Sequence, residues 1–182
     1  YDAVFKQSDF TTKNYIKSFD VENKTTDFEF NKTDVTGDKE VEGAQLTITD
    51  EDGNVVDQWT SDGKVHSIEG LVVGKTYTLS ETVTAKDYVK ATDIKFTVKN
   101  SSELETVTMK DKQVFVSKTT VGGEEVTGAH MQIIDEDGNI IDEWYSEGKS
   151  HIANGLEEGK TYTLHEDLSP LGFNLANDLT FE

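Results

Sequence analysis

The sequence predicts an all-β chain built from tandem β-sandwich modules, and three observations carry that prediction. Residues 43–82 recur as residues 128–167 at an offset of 85. Within each copy the apolar residues come in short alternating runs, with turn signals about every 8–12 residues, the pattern of sandwiches and barrels. No stretch carries a helical period.

The shared landmarks run through the whole repeat. Asp50-Glu51-Asp52-Gly53-Asn54 returns as Asp135-Glu136-Asp137-Gly138-Asn139, Trp59 as Trp144, and Gly74-Lys75-Thr76-Tyr77-Thr78-Leu79 as Gly159-Lys160-Thr161-Tyr162-Thr163-Leu164. The match extends to Phe96 and Phe181. Residues 10–24 resemble residues 96–112 with a two-residue gap, so the N-terminal stretch reads as the tail of a preceding copy. Three pieces follow: 1–23 as the last strand or strands of a preceding module or a donor strand, 24–112 as one complete module, and 113–182 as a second module lacking its last strand. That second module is expected to have an open edge. Residues 1–23 are a candidate to fill it by strand exchange, in a neighbouring chain or in the same one.

Taken in order, the first strand holds Phe28, Phe30 and Lys32 at alternate positions, and alternate residues of a strand share a face. Strands at 44–50 and 54–60 flank the Asp-Gly-Asn turn as a hairpin. A middle strand at 75–82 follows Gly74 and puts Tyr77, Leu79 and Glu81 on one face. Strands at 94–99 and 105–110 close the module, the last carrying Val107, Met109 and Asp111 on one face. The second copy repeats this with Val114, Val116 and Lys118, and with Tyr162, Leu164 and Glu166. In the N-terminal stretch Phe19, Val21 and Asn23 repeat the last-strand pattern, with an amide in place of the carboxyl.

Each apolar face thus ends in an ionisable group or an amide. A solvated strand end explains any single case, but the same station is occupied in register across copies. A lone buried charge is costly, and a buried Lys–carboxylate pair gains little after desolvation. Burial lowers the pKa of Lys and raises those of Asp and Glu, so all three can sit neutral. A neutral amine beside a protonated acid can react.

The segments Phe30-Asn31-Lys32-Thr33-Asp34, Leu79-Ser80-Glu81-Thr82 and Val107-Thr108-Met109-Lys110-Asp111 resemble the three signature strands of Cna-B type (SpaA-like, prealbumin-like) domains of Gram-positive surface adhesins and pilins. The resemblance implies Ig-like or prealbumin-like β-sandwich modules. It also implies an intramolecular isopeptide bond, with Lys32 as nucleophile, Asp111 as electrophile and Glu81 hydrogen-bonding the Asp111 carboxyl and moving protons. Lys118 and Glu166 match the nucleophile and assisting acid of the second module, whose acceptor lies beyond Glu182; Asn23 matches the acceptor of a preceding one. One complete bond is expected unless strands are exchanged. Such a chain is a single-turnover self-crosslinker, not an enzyme. The implied setting is extracellular, on a protein anchored to the cell wall, as a stalk segment whose partners are adjacent repeats. A ligand-binding adhesin domain for a host protein or glycan is the alternative.

Composition narrows the remaining classes. With 36 acidic against 17 basic residues the formal charge is −19, spread along the chain. That field repels phosphate backbones and anionic lipid, so neither nucleic acid nor a bare membrane is an expected partner. There is no cysteine, hence no disulfide or thiolate site. No apolar run approaches the roughly 18 residues of a membrane span, and Tyr1-Asp2-Ala3-Val4-Phe5-Lys6 has no signal-peptide pattern, so the chain reads as an interior piece.

Other chemistries fit less well, and no cofactor is expected. The repeated Asp-Glu-Asp-Gly-Asn is half an EF-hand loop, but it lacks the glycine at its sixth position and has strands where helices belong. His66, His130, His151 and His165 are scattered without metal-ligand spacing. Glu81 and Asp111 have the composition of a glycosidase pair, yet nothing in so small a sandwich supplies a substrate cleft. Trp59 and Trp144 read as core or ridge residues ahead of sugar platforms. The sequons at Asn23, Asn31 and Asn100 matter only in a eukaryotic secretory setting.

Overall fold

A computed structural model describes residues 25–101 and 103–182. Among these residues there are thirteen strands and no helix. The first seven are β1 (Asp27–Asp34), β2 (Glu42–Thr49), β3 (Val55–Asp62), β4 (His66–Glu69), β5 (Thr76–Val83), β6 (Ile94–Thr97) and β7 (Glu105–Asp111). They form two sheets, ordered β4-β1-β7 and β3-β2-β5-β6.

The alternation of the sequence is what closes these sheets on each other. In β1 the side chains of Phe28, Phe30 and Lys32 are buried while Asp27 is exposed; in β5 Tyr77, Leu79 and Glu81 point inward; in β7 Met109 and Asp111 do. Phe28, Phe30, Leu46, Ile48, Leu79 and Met109 are the heart of one apolar cluster. Fully burying a side chain of this size stabilises the fold by about 1.5–3 kcal/mol. Phe96 packs on Phe28 and Phe30, with ring centroids 5.4 and 5.5 Å apart. β1 and β7, the first and last strands, run parallel and adjacent, with Lys32 opposite Met109 and Asp34 opposite Asp111.

The remaining strands are β8 (Phe115–Val116), β9 (Thr127–Ile134), β10 (Ile140–Glu147), β11 (His151–Ile152), β12 (Tyr162–Leu168) and β13 (Leu179–Phe181). Their sheets, β10-β9-β12-β13 and β11-β8, repeat the earlier order strand for strand, except that β7 has no counterpart among the described residues. β1 is paired on both sides, by β4 and β7. β8 is paired by β11 alone among the described residues. Residues 1–23, including Asn23 and the expected donor strand, lie outside the described residues.

The repeated acidic turn is a hairpin device. Gly53 and Gly138 take the left-handed backbone, at φ +82° and +84°. One oxygen of Asp50 accepts from the amides of Asp52 and Asn54 at 3.0 and 2.8 Å, and Asp135 does the same for Asp137 and Asn139. These bonds hold both carboxylates below their ordinary pKa, with the Asn54 and Asn139 side chains contributing most. No group of three or more metal-binding side chains occurs among the described residues.

Candidate functional site

The site lies inside the first sandwich, where three strands each deliver one ionisable side chain to an otherwise apolar interior. β1 brings Lys32, β5 brings Glu81 and β7 brings Asp111, at relative exposures of 2%, 1% and 1%. The Lys32 ammonium nitrogen contacts Asp111 Oδ1 directly, and Glu81 Oε1 is 3.1 Å from the same nitrogen. Three residues at least 30 positions apart in the sequence, with Phe30, Leu79 and Met109 beside them, thus share one pocket of charge.

The electrostatics favour a shared proton. Burial is the largest influence on Asp111 and raises its pKa from 3.8 to about 6; contact with Lys32 lowers it, and the neighbouring Glu81 carboxylate raises it again. One cation and two carboxylates in a dry interior carry a net negative charge unless one acid keeps its proton, and Asp111 is the acid so placed. Asp111 Oδ2 and Glu81 Oε1 are buried without an aligned hydrogen-bond partner, although the latter lies within ion-pair distance of Lys32. Buried acceptors left this way are rare in folded proteins and mark places where chemistry or strain is stored.

Glu81 is held by a contact that sequence reading did not anticipate. Its Oε2 accepts from the backbone amide of Ala91 at 2.9 Å, in the β5–β6 connection. The equivalent bond recurs in the second half, from the Ala176 amide to Glu166 Oε2 at 2.6 Å. Backbone donors leave no mark in side-chain patterns; the equal ten-residue spacing of Glu81 to Ala91 and Glu166 to Ala176 was the available signal.

The second half assembles part of the same arrangement. Lys118 Nζ is 3.1 Å from Glu166 Oε2, with side chains 16% and 1% exposed. Glu166 Oε1 is buried without a partner. No carboxyl or carboxamide occupies the Asp111 position among the described residues, since the strand that would carry it has no counterpart there.

A second repeated constellation surrounds the tryptophans. Trp59 stacks on His66 with centroids 4.0 Å apart, and His66 Nε2 donates to Asp57 Oδ2 at 2.8 Å. Trp144, His151 and Asp142 repeat both contacts at 4.0 and 2.8 Å. With one face covered by imidazole and the other packed toward the core, neither indole offers a sugar platform. His130 and His165 pair separately, with Asp167 and Asp178.

The SpaA family of prealbumin-like fold domains matches residues 26–113, which span β1 to β7. No curated protein matches the chain. Similar solved structures include the TIE protein of Bacillus anthracis, at 23% identity over 88% of this chain and 32% of that one, with a TM-score of 0.45. The shaft pilin SpaA of Lactobacillus rhamnosus GG is 16% identical over 87% of this chain and 93% of its own, at a TM-score of 0.41. A streptococcal ancillary pilin is 19% identical over 86% and 58%, at 0.44. The chain spans about a third of the Bacillus protein's length.

Proposed function

Residues 26–113 belonging to the SpaA family of prealbumin-like fold domains, we propose that this chain is a structural stalk segment of a bacterial cell-surface protein, whose first module is locked by an isopeptide bond between Lys32 and Asp111. The observation that carries the reading is the convergence of Lys32, Glu81 and Asp111 inside an apolar core. Such a trio is a poor stability device as ions, because desolvation offsets most of what the charges gain from each other. It is well suited to condensation.

The chemistry balances within the three side chains. Lys32 passes a proton to the carboxylate pair and becomes a neutral amine, while Asp111 is held as the acid. Nζ attacks Asp111 Cγ, forming a tetrahedral centre with an N–C bond. Glu81 accepts a proton from the attacking nitrogen and gives it to the departing hydroxyl, and one water leaves. The product is a neutral amide, and two buried ionisable groups are gone. The Ala91 amide on Glu81 Oε2 fixes the shuttle's orientation and leaves Oε1 free to face the amine.

Residues 24–112 are then a complete module and residues 113–182 a module awaiting its last strand. Residues 1–23 of a neighbouring chain supply that strand in this proposal. In sequence, Phe19 and Val21 precede Asn23 as Val107 and Met109 precede Asp111, so an exchanged strand in the same register would offer the Asn23 amide to Lys118 and to Glu166, whose Oε1 is buried without a partner. Condensation with Asn23 would release ammonia in place of water.

Intact mass tests the first bond. The parent chain is expected to be one water lighter than its sequence, with a tryptic fragment joining the peptides of Lys32 and Asp111; an unshifted mass refutes it. Denaturing electrophoresis tests the exchange, because crosslinked multimers should form in the parent and vanish in Lys118→Ala.

A further inference from the structure

The loop that anchors Glu81 belongs to both halves of the chain. Ala91, whose amide binds Glu81 Oε2 at 2.9 Å, packs on the core of the first half. Val89, two residues earlier, is buried in the apolar cluster of the second. Both neighbours of Ala91 are tied to that second half. The Lys90 amide donates to the Leu156 carbonyl at 2.8 Å, and the Lys90 carbonyl accepts from the Glu158 amide at 2.9 Å. On the other side the Thr92 amide and hydroxyl both donate to Glu158 Oε2, at 3.3 and 3.1 Å.

Glu158 also reaches the strand that carries Asp111. Its Oε1 lies 2.6 Å from Lys112 Nζ, and Lys112 directly follows Asp111 at the end of β7. The Lys112 carbonyl in turn accepts from the Val89 amide at 2.9 Å, so loop and strand end are joined directly as well. One carboxylate of the second half thus grips two places in the first, one with each oxygen: the residue beside the anchor of Glu81, and the residue beside Asp111. These partners hold Glu158 below its ordinary pKa, Lys112 contributing most.

Geometry, more than fold stability, is what this carboxylate supplies. The Lys112 and Glu158 side chains are 53% and 31% exposed, and ion pairs so placed contribute little to stability. The turn itself does not require an acid, since Val73 holds the same position in the first copy. The anchor forms without it too: Ala176 binds Glu166 at 2.6 Å although residues 171–175 are exposed. What Glu158 adds is a fixed distance between the anchor of Glu81 and the strand of Asp111. Condensation needs both carboxyls at Lys32 at once, and a misplacement of about 1 Å can cost a reaction roughly a hundredfold in rate.

We infer that Glu158 is a positioning residue for the condensation of Lys32 with Asp111, so that the second half, once docked on the β5–β6 connection, speeds the crosslinking of the first. This rests on the proposed bond. Glu158 touches none of the reacting atoms and takes no proton; it acts through Ala91 and through the end of β7. The covalent lock of the first module then follows the docking of the second.

The test follows the full chain, made in a cell-free pulse, denatured at intervals and weighed intact; the fraction lighter by one water gives the half-time of closure. Glu158→Ala should close about tenfold more slowly than the parent. Glu158→Gln, which still accepts from Thr92, should fall between them. Glu157→Ala breaks the neighbouring Lys90–Glu157 pair at 3.4 Å and leaves both ties of Glu158 in place, so it should keep the parent's half-time. The urea midpoint of the first half, read from Trp59 in a Trp144→Phe, Glu81→Gln background where no closure is expected, should be no lower with Glu158→Ala than with Glu157→Ala. Thr92→Val removes one donor to Glu158 and leaves the second half intact; it should also slow closure, and it decides the matter if Glu158→Ala does not fold. Closure of Glu158→Ala, or in that event of Thr92→Val, at the parent's rate overturns the inference. So does a slowing that Glu157→Ala shares, or one matched by a fallen urea midpoint, which is plain destabilisation. A parent that never loses water refutes the proposed bond, and this inference with it.

Discussion

Replacing Glu81 by Gln separates the proposed bond from the fold around it. The variant keeps the side-chain volume and an oxygen to accept from Ala91, and it leaves Lys32 and Asp111 in contact, but it cannot shuttle protons. Its intact mass is expected to equal the sequence mass. Lys32 and Asp111 are 79 positions apart, and the chain-entropy relation for a crosslink closing a loop of that length gives about 4.5 kcal/mol. At about 4–8 °C per kcal/mol for a domain of this size, the melting temperature of the first module should fall by roughly 20–35 °C. Trp59 packs against that module's core, so a Trp144→Phe background makes its fluorescence a reporter of the first half alone during urea unfolding. If the variant carries the unshifted mass and yet unfolds within about 1 kcal/mol of the parent, the bond does not constrain the unfolded chain and the reasoning fails.

Three further outcomes are expected. In Glu81→Gln, Asp111 remains a free carboxyl whose folded pKa burial raises above its ordinary 3.8, to about 6 in the parent arrangement. With burial still holding the folded pKa above the unfolded one, its stabilising contribution is complete below pH 4 and lost as pH rises through the folded value, so the stability gap to the parent should widen from pH 4 to 7; a flat gap in urea midpoints contradicts it. Phe30→Ala empties a site packed by Trp59 and Phe96 and should cost about 3–5 kcal/mol in the same assay, with a smaller loss showing that the sheets collapse into the space. Excess chelator should leave the melting curve of the parent unmoved, because Asp50 and Asp135 each spend one oxygen on backbone amides and the other on the side-chain amide of Asn54 or Asn139; a calcium-dependent shift would show that the turns hold an ion.

Much of this architecture was legible because each inner face is wet on one side and dry on the other. Phe28, Phe30 and Lys32 alternate with polar residues, and so do Tyr77, Leu79 and Glu81; parity alone therefore put a charge on the core side of each strand. Where both faces are half-covered the pattern fades. β4 reads His-Ser-Ile-Glu with no fully buried residue, and β11 is two residues long, so neither announces itself. The connection between β5 and β6 was unreadable for another reason. Val89 is buried by residues at 133 and beyond, and a local window holds no trace of a partner so distant. The Asp57–His66–Trp59 contact had a usable signal, since all three residues recur at an offset of 85 as Asp142, His151 and Trp144, but neither residue type nor spacing said that they touch.

The parallel pairing of β1 with β7 also governs when the site can exist at all. These strands are the most distant in sequence of any paired in the first half, and parallel neighbours cannot be joined by a tight turn, so everything between them must be arranged before they meet. Closing such long-range contacts is slow relative to the hairpins around them. Lys32 therefore encounters Asp111 only at the end of folding, with Glu81 already seated between the sheets. Any condensation there is a late, one-way step that records a finished fold: a misregistered or half-formed sandwich lacks the geometry to react, stays reversible, and is free to unfold and try again.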